Sequence, residues 1–144
     1  MKYTCEITIN RPRDEVVALF DDPDNIPKWQ EGFKSMEHIS GEYGEAGAKS
    51  RLTYDMNGRE VVLTETLVKR DLPEEVSMIF ETDGVYNAMT NKFFDENGKT
   101  RWHSDVEFKF SGFMAIMGFF MPFMFKRQSK KNMQAFKDFA ESAG

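Results

Sequence analysis

An alternation of apolar and polar residues runs through about eighty residues of this chain, beginning at Phe33. In its clearest part, Trp102 and Ser104 lie on one side and Arg101 and His103 on the other. Successive side chains of a β-strand point to opposite faces, so the alternation predicts strands with one buried face. Asn57-Gly58 and a second Asn-Gly pair at 97–98 interrupt it, and such pairs favour tight hairpin turns. The pattern therefore predicts an antiparallel meander of about six strands.

The chain after this meander has the pattern of one long amphipathic helix, from about Pro122 to Ser142. A proline suits the first helical turn because it has no N–H to leave unbonded. One face repeats at three- and four-residue steps; it holds Phe125, Ser129, Asn132, Met133, Phe136, Phe139, Ala140 and Ala143. A helix of roughly 20 residues is about 30 Å long, which is enough to cross a small domain.

An apolar run rich in Phe and Met, residues 113–125, leads into this helix. A membrane-spanning helix needs about 20 apolar residues, and this run has only about 13, interrupted by Gly118 and Pro122. We therefore reject a membrane span and predict a short apolar turn at about 113–120. The run either packs into the core or covers a ligand cavity, with Phe120 as part of the wall. Packing against a second chain is also open, so the protein is expected to be a monomer or a homodimer.

The first thirty residues predict one strand and two short helices. Tyr3 to Ile9 alternates as a strand does, Asn10 can cap a first helix, and Asp22-Pro23 can start a second that ends near Gly32. Helices segregated from an antiparallel meander define the α+β class. The expected fold is a helix-grip: a curved antiparallel sheet of about seven strands wrapped around the long C-terminal helix, with two short helices after the first strand.

Length and composition limit the kind of protein. The 144 residues match one ordinary domain and contain no linker, so a single domain over 1–144 is expected. A net charge of -5 argues against a nucleic-acid-binding surface. The one cysteine, Cys5, excludes an internal disulfide framework and, with no apolar signal segment at the N-terminus, favours the cytoplasm.

Five segments carry a family resemblance: residues 9–16, 20–29, 64–73, 97–102 and 136–141. With them the chain resembles the START-like, or SRPBCC, superfamily, and within it the bacterial polyketide cyclase/dehydrase-like and lipid-transport-like members. The resemblance covers essentially the whole chain. It implies a helix-grip fold whose cavity holds lipids, polyketides or other apolar molecules. It carries over no catalytic residue, because the family has no shared catalytic signature.

The residues that could carry catalysis or bind a metal have simpler structural interpretations. They are His38, His103, Cys5, Asp21, Asp22 and Asp24. His103 lies on the polar side of its strand, Cys5 alternates with apolar residues as a buried thiol does, and the aspartates fit a helix cap and a turn. Two histidines and one cysteine without motif spacing predict no zinc site. We expect no metal and no cofactor, and the sequence names no catalytic residue.

Polar side chains on otherwise apolar faces mark the candidate ligand site. A mostly apolar pocket with a few polar groups is the usual form of a small-molecule site, although backbone or water can satisfy the same groups. The predicted ligand-binding residues are Tyr54, Met89, Asn91, Trp102, Ser104, Phe120, Ser129 and Asn132. Glu65 lies beside Leu63 and Leu67 in a strand whose inward face the pattern does not decide.

Three functions follow from these observations. The leading one is the binding or transport of an apolar small molecule, such as a lipid, polyketide or aromatic compound, in an internal cavity. The alternative is a cyclase or dehydratase that folds a polyketide-like substrate in the same cavity, with Tyr54 or Glu65 moving a proton; a titratable group inside the cavity would favour it. The third is docking on a membrane surface, because four basic residues follow the apolar run. They are Lys126, Arg127, Lys130 and Lys131.

Overall fold

A computed structural model of the chain describes residues 1–112 and 122–143, and gives the backbone alone at 122 and 123. Its strands are β1 (Lys2–Ile9), β2 (Phe33–Ser40), β3 (Lys49–Met56), β4 (Arg59–Asp71), β5 (Glu75–Thr82), β6 (Val85–Glu96) and β7 (Lys99–Phe110). Its helices are α1 (Arg13–Asp21), a 3₁₀ helix (Pro23–Asn25), α2 (Ile26–Trp29) and the long α3 (Pro122–Ser142). The predicted bounds of α3 are confirmed.

The seven strands form one antiparallel sheet in the order β1-β7-β6-β5-β4-β3-β2. From β2 to β7 each strand pairs with its neighbour in sequence, while β1 crosses to pair with β7. This confirms the predicted helix-grip fold of the α+β class, with a curved sheet, a long C-terminal helix and short helices after the first strand.

Two of the hairpins turn through the Asn-Gly pairs that the sequence singles out. Asn57 and Gly58 have φ angles of 57° and 83°, and Asn97 and Gly98 have 56° and 85°. A two-residue type I′ turn needs positive φ at both positions, which asparagine and glycine adopt more readily than other residues. These turns fix the register between β3 and β4 and between β6 and β7.

The pairing register places the polar groups of the candidate site on one face. Ser104 on β7 lies opposite Cys5 on β1 and opposite Asn91 on β6. Asn91 in turn lies opposite Val76 on β5. Directly opposed residues of antiparallel strands project to the same side of the sheet, so this row lies on the inner face.

Five aromatic side chains form the centre of the core: Phe20, Trp29, Phe93, Trp102 and Phe136. Phe136 of α3 is fully buried, and its ring centroid lies 5.1 Å from Trp29, 5.4 Å from Trp102 and 5.7 Å from Phe20. These contacts join α3, α1, α2 and β7 around one ring, so Phe136 connects all the layers of the fold.

The C-terminal end of α3 is held by the segment between β1 and α1. One nitrogen of the Arg11 guanidinium donates to the carbonyls of Ala140, at 2.9 Å, and Ala143, at 2.6 Å. Ala140 lies in the last turn of α3 and Ala143 directly follows its last residue, where carbonyls lack partners within the helix and a positive charge is favourable. The backbone N–H of Asn10 donates to the Glu141 carboxylate at 2.8 Å.

Three local predictions need correction. Asn10 does not cap α1: the N-cap residue is Pro12, which makes no side-chain capping bond. The weak alternation that begins at Phe33 predicts a strand to Tyr43, but β2 ends at Ser40, because glycines with positive φ turn the chain from position 41 onward. The alternation after Gly58 predicts a strand from about Arg59 to Lys69, but β4 continues two residues further, to Asp71, and its pairing with β5 has an irregularity.

Most of the apolar run, residues 113–121, lies outside the described residues, and so do the predicted turn at 113–120 and Phe120. Within the described part of the chain, no helix is both long enough and apolar enough to cross a membrane.

Candidate functional site

A cavity of about 430 Å³ lies between the inner face of the sheet and the first half of α3. Its walls come from strands β3 to β7, from α2 and from residues 125–133 of α3. Apolar side chains predominate; they include Phe20, Ile26, Leu52, Val61, Leu63, Met78, Phe80, Met89, Phe108 and Met133. The volume falls within the usual range of small-molecule sites, roughly 300–1,000 Å³.

The structure brings together the predicted ligand-binding residues that it describes. Seven of them line this cavity: Tyr54, Met89, Asn91, Trp102, Ser104, Ser129 and Asn132. The eighth, Phe120, is outside the described residues. The two-residue period of the strands and the helical period of α3 predicted that these side chains point inward. Their contact with a ligand stays a prediction.

Some of these polar groups already have partners inside the protein. The indole N–H of Trp102 donates to Asn91 Oδ1 at 3.0 Å, and the Asn91 side-chain NH₂ contacts the sulfur of Met78 at 3.3 Å. Ser129 shares a hydrogen bond of 2.7 Å with the Tyr3 hydroxyl. These bonds satisfy buried polar atoms and fix the shape of the cavity wall.

Tyr54 is held at the end of the cavity near α2. Its hydroxyl donates to Gln30 Oε1 at 2.5 Å. Burial raises the pKa of the Tyr54 phenol far above its usual value, and the nearby Glu65 carboxylate raises it further. A phenol in this environment stays protonated at neutral pH, and its proton is donated to Gln30.

Two buried donors of the cavity lining have no hydrogen-bond partner within the described part of the chain: the Ser104 hydroxyl and the Trp29 indole N–H. Ser104 is 1% exposed and Trp29 is 9% exposed. Leaving such a group unpaired costs about 1–3 kcal/mol, so a partner in the cavity would be favourable. The sequence pattern did not single out the Trp29 indole N–H, because a helix of only one turn carries little periodic signal.

The Glu65 side chain points to the inner face of the sheet. The sequence pattern did not decide which face of this strand is the inner one. The Glu65 side chain lines the large cavity and also a second cavity of about 320 Å³, which shares Phe20, Ile26 and Met78 with the first. Glu65 lies opposite Ser50 on β3 and Phe80 on β5. Burial raises the pKa of the Glu65 carboxyl to about 6, since an apolar environment disfavours the charged form.

A comparison with models of known protein families identifies the family of this chain. The model of one family, described as "Polyketide cyclase / dehydrase and lipid transport", matches residues 1–141. The chain belongs to this family. The resemblance noted from the sequence is thereby confirmed.

Solved structures show the same fold at low identity. A conserved protein from Geobacillus kaustophilus has a TM-score of 0.80 at 15% identity, over 97% of this chain and 95% of that one. The Zhui aromatase/cyclase from Streptomyces sp. R1128 has 0.75 at 15%, over 98% and 93%. A START superfamily protein from Mycobacterium smegmatis has 0.70 at 11%, over 97% and 94%. A search of the curated proteins gave no significant match.

Outside the cavity of this polyketide cyclase/dehydrase and lipid transport family member, His103 and Cys5 lie in surroundings that suit structural roles. His103 lies on the outer face of the sheet between Glu6, at 2.6 Å, and Asp105, at 3.1 Å, and the bond to Glu6 contributes most to raising its pKa. Burial raises the pKa of the Cys5 thiol, which disfavours a nucleophilic thiolate. Within the described residues, no group of three or more potential ligands could hold a metal ion.

The aspartates at the end of α1 also have structural roles in this family member. The Asp22 side chain accepts a hydrogen bond from the Asp24 N–H at 2.9 Å and so caps the 3₁₀ helix. Asp21 forms an ion pair with Arg70 at 2.6 Å.

On the first turns of α3, Met124 is 47% exposed, and Arg127, Lys130 and Lys131 are exposed nearby. Membrane docking by this surface stays a prediction.

Proposed function

We propose that this family member binds and carries an apolar small molecule in the 430 Å³ cavity. The observation that carries the proposal is the combination of a mainly apolar wall with a buried, unpartnered Ser104 hydroxyl among the described residues. An apolar ligand would be held by burial of its surface, at about 25 cal/mol per Å². A polar atom on the ligand could then accept the hydrogen bond that Ser104 or Trp29 offers.

The name of the family supports this class of ligand, since it joins polyketide cyclases with lipid transport. Native mass spectrometry of the freshly purified protein tests the proposal directly. We expect an added mass from a co-purified apolar molecule, which organic extraction should release. A protein that carries no such mass, and that takes up no apolar compound while folded, would contradict the proposal.

Filling the cavity should compete with ligand uptake. Ser104→Phe places a ring where a small hydroxyl now lines the wall. We expect the affinity for a neutral apolar dye such as Nile red to fall by at least about tenfold, which corresponds to about 1.4 kcal/mol. Fluorescence titration measures the affinity, and thermal unfolding checks that the variant is folded.

Ser35→Phe is the matched control, because Ser35 is exposed on β2 and does not line the cavity. Its dye affinity should equal that of the wild type. If Ser104→Phe overpacks the core and unfolds the protein, Asn132→Phe on α3 fills the same cavity from a partly buried position. Unchanged dye affinity in folded Ser104→Phe and Asn132→Phe would show that the dye binds elsewhere.

One observation favours the cyclase alternative. The Glu65 carboxyl lies inside the cavity with its pKa raised to about 6, and a general acid or base works best when its pKa is near the working pH. The test is the cyclisation of a linear poly-β-ketone thioester, followed over a range of pH. A catalysed rate with a limb near pH 6 that Glu65→Gln removes would support an enzyme; no acceleration over the uncatalysed rate would exclude this reaction.

A further inference from the structure

The surroundings of Glu65 contain no cation to pair with its carboxylate within the described part of the chain. The lining of the smaller cavity contains one guanidinium among the described residues, that of Arg70, and it is already bound to Asp21 at 2.6 Å. Glu31, at the border of the larger cavity, is ion-paired with Lys131 at 3.2 Å. The other titratable groups of the two linings, Tyr43 and Tyr54, are phenols and supply no positive charge.

The position of Glu65 suits a ligand group more than a structural ion pair. It stands where the two cavities share their lining, and its neighbours across the sheet are the Ser50 hydroxyl and the Phe80 ring. A buried carboxylate without a counter-charge is costly, and a cation brought by the ligand would offset that cost. Aromatic rings such as Phe80 attract cations to their faces and would add to the same preference.

We propose that the cavity selects apolar molecules that carry a protonated amine, with the ammonium group paired to Glu65 and the apolar body lying in the larger cavity. This inference rests on the proposed function and names the ligand class of the same site. A ligand carboxylate at this position would be repelled by Glu65, and a neutral head group would leave the carboxylate unpaired. One carboxylate is too few ligands for a calcium or magnesium ion, which favours an organic cation.

The test compares three ligands that share a ten-carbon chain and differ only in the head group: decylamine, decanol and decanoate. Each displaces Nile red from the wild-type protein at pH 8, where Glu65 is ionised and the amine is protonated. We expect decylamine to displace the dye at a concentration at least about tenfold lower than decanol, and decanoate to be the weakest. Because the three ligands have carbon chains of equal length, the contribution of apolar burial to their affinities cancels in the comparison.

Glu65→Gln removes the charge and keeps the shape, so it should abolish the preference for decylamine over decanol. Glu81→Gln is the matched control: Glu81 is exposed on the opposite face of the sheet, one residue along β5 from Phe80, and lies opposite Thr64. It should keep the preference. At pH 5, where Glu65 becomes protonated, the preference of the wild type should also shrink.

The possible failures are distinguishable. Equal displacement by all three ligands, stronger binding of decanoate, or a preference that persists in Glu65→Gln would each overturn the amine selectivity and leave the proposed function standing. Failure of every ligand and of the dye to bind the folded wild type would instead remove the proposed function.

Discussion

Phe136→Ala is expected to lower the free energy of unfolding by about 3–5 kcal/mol. The ring is 0% exposed and contacts Phe20, Trp29 and Trp102 with centroid distances of 5.1–5.7 Å. Its removal takes away buried apolar surface and leaves a cavity that rings held by three other elements cannot easily fill. Urea denaturation followed by tryptophan fluorescence measures the change.

The control is Phe94→Ala, which deletes the same ring from an exposed position. Phe94 is 37% exposed on β6 and packs against the Arg101 guanidinium, 4.3 Å from its centroid. An exposed ring of this kind contributes about 1 kcal/mol or less. A loss below about 1 kcal/mol for Phe136→Ala would show that α3 does not anchor the core.

Glu65→Gln is expected to stabilise the protein at neutral pH by about 2 kcal/mol, the free energy that corresponds to raising the pKa of this carboxyl from 4.5 to about 6. The folded state raises the pKa of this carboxyl from 4.5 to about 6, so between these values the folded protein binds more protons than the unfolded chain. The contribution of the Glu65 carboxyl to the stability of the wild type is therefore greatest below pH 4.5, and it is lost as the pH rises through 6. Glutamine carries no charge, so the Glu65→Gln variant does not lose this stability as the pH rises.

Urea denaturation at several values between pH 4 and 8 measures the difference between Glu65→Gln and the wild type. The difference should be near zero at pH 4, grow between 4.5 and 6, and stay constant above that range. Glu81→Gln, which removes an exposed carboxylate, should give no such step. A difference that does not vary with pH would mean that the Glu65 carboxyl is solvated in the folded state.

The fold was predictable because its signals are local and periodic. Alternation predicted the strands, and Asn-Gly pairs predicted two hairpins. Pro122 indicated the start of α3, and the three- and four-residue spacing indicated its inner face. The same periods placed Tyr54, Asn91 and Ser104 on inward faces, which is why they lie together in one cavity.

The features that could not be predicted depend on contacts between residues that are far apart in the chain. The partner of Trp102 is Asn91 on the next strand, while Ser104, two residues along, has no partner among the described residues. Trp102 and Ser104 occupy equivalent positions in the alternating pattern, so the pattern does not show which of the two has a hydrogen-bond partner. The inward face of Glu65 was open because its strand has apolar residues on both faces, and the register with β3 and β5 decides it. The cap by Arg11 on α3 joins residues far apart in the chain, beyond any local pattern.

The pairing of β1 with β7 has a consequence for synthesis. Strand β1 is made first, yet its partner in the sheet covers residues 99–110, and α3, which packs beside it, begins at 122. While the chain emerges from the ribosome, Ile7 and Ile9 therefore belong to an unpaired apolar strand, and closing so long a loop is slow. The meander from β2 to β6 can form meanwhile from neighbouring segments. During that interval β1 is open to a chaperone, or to the matching strand of another nascent chain.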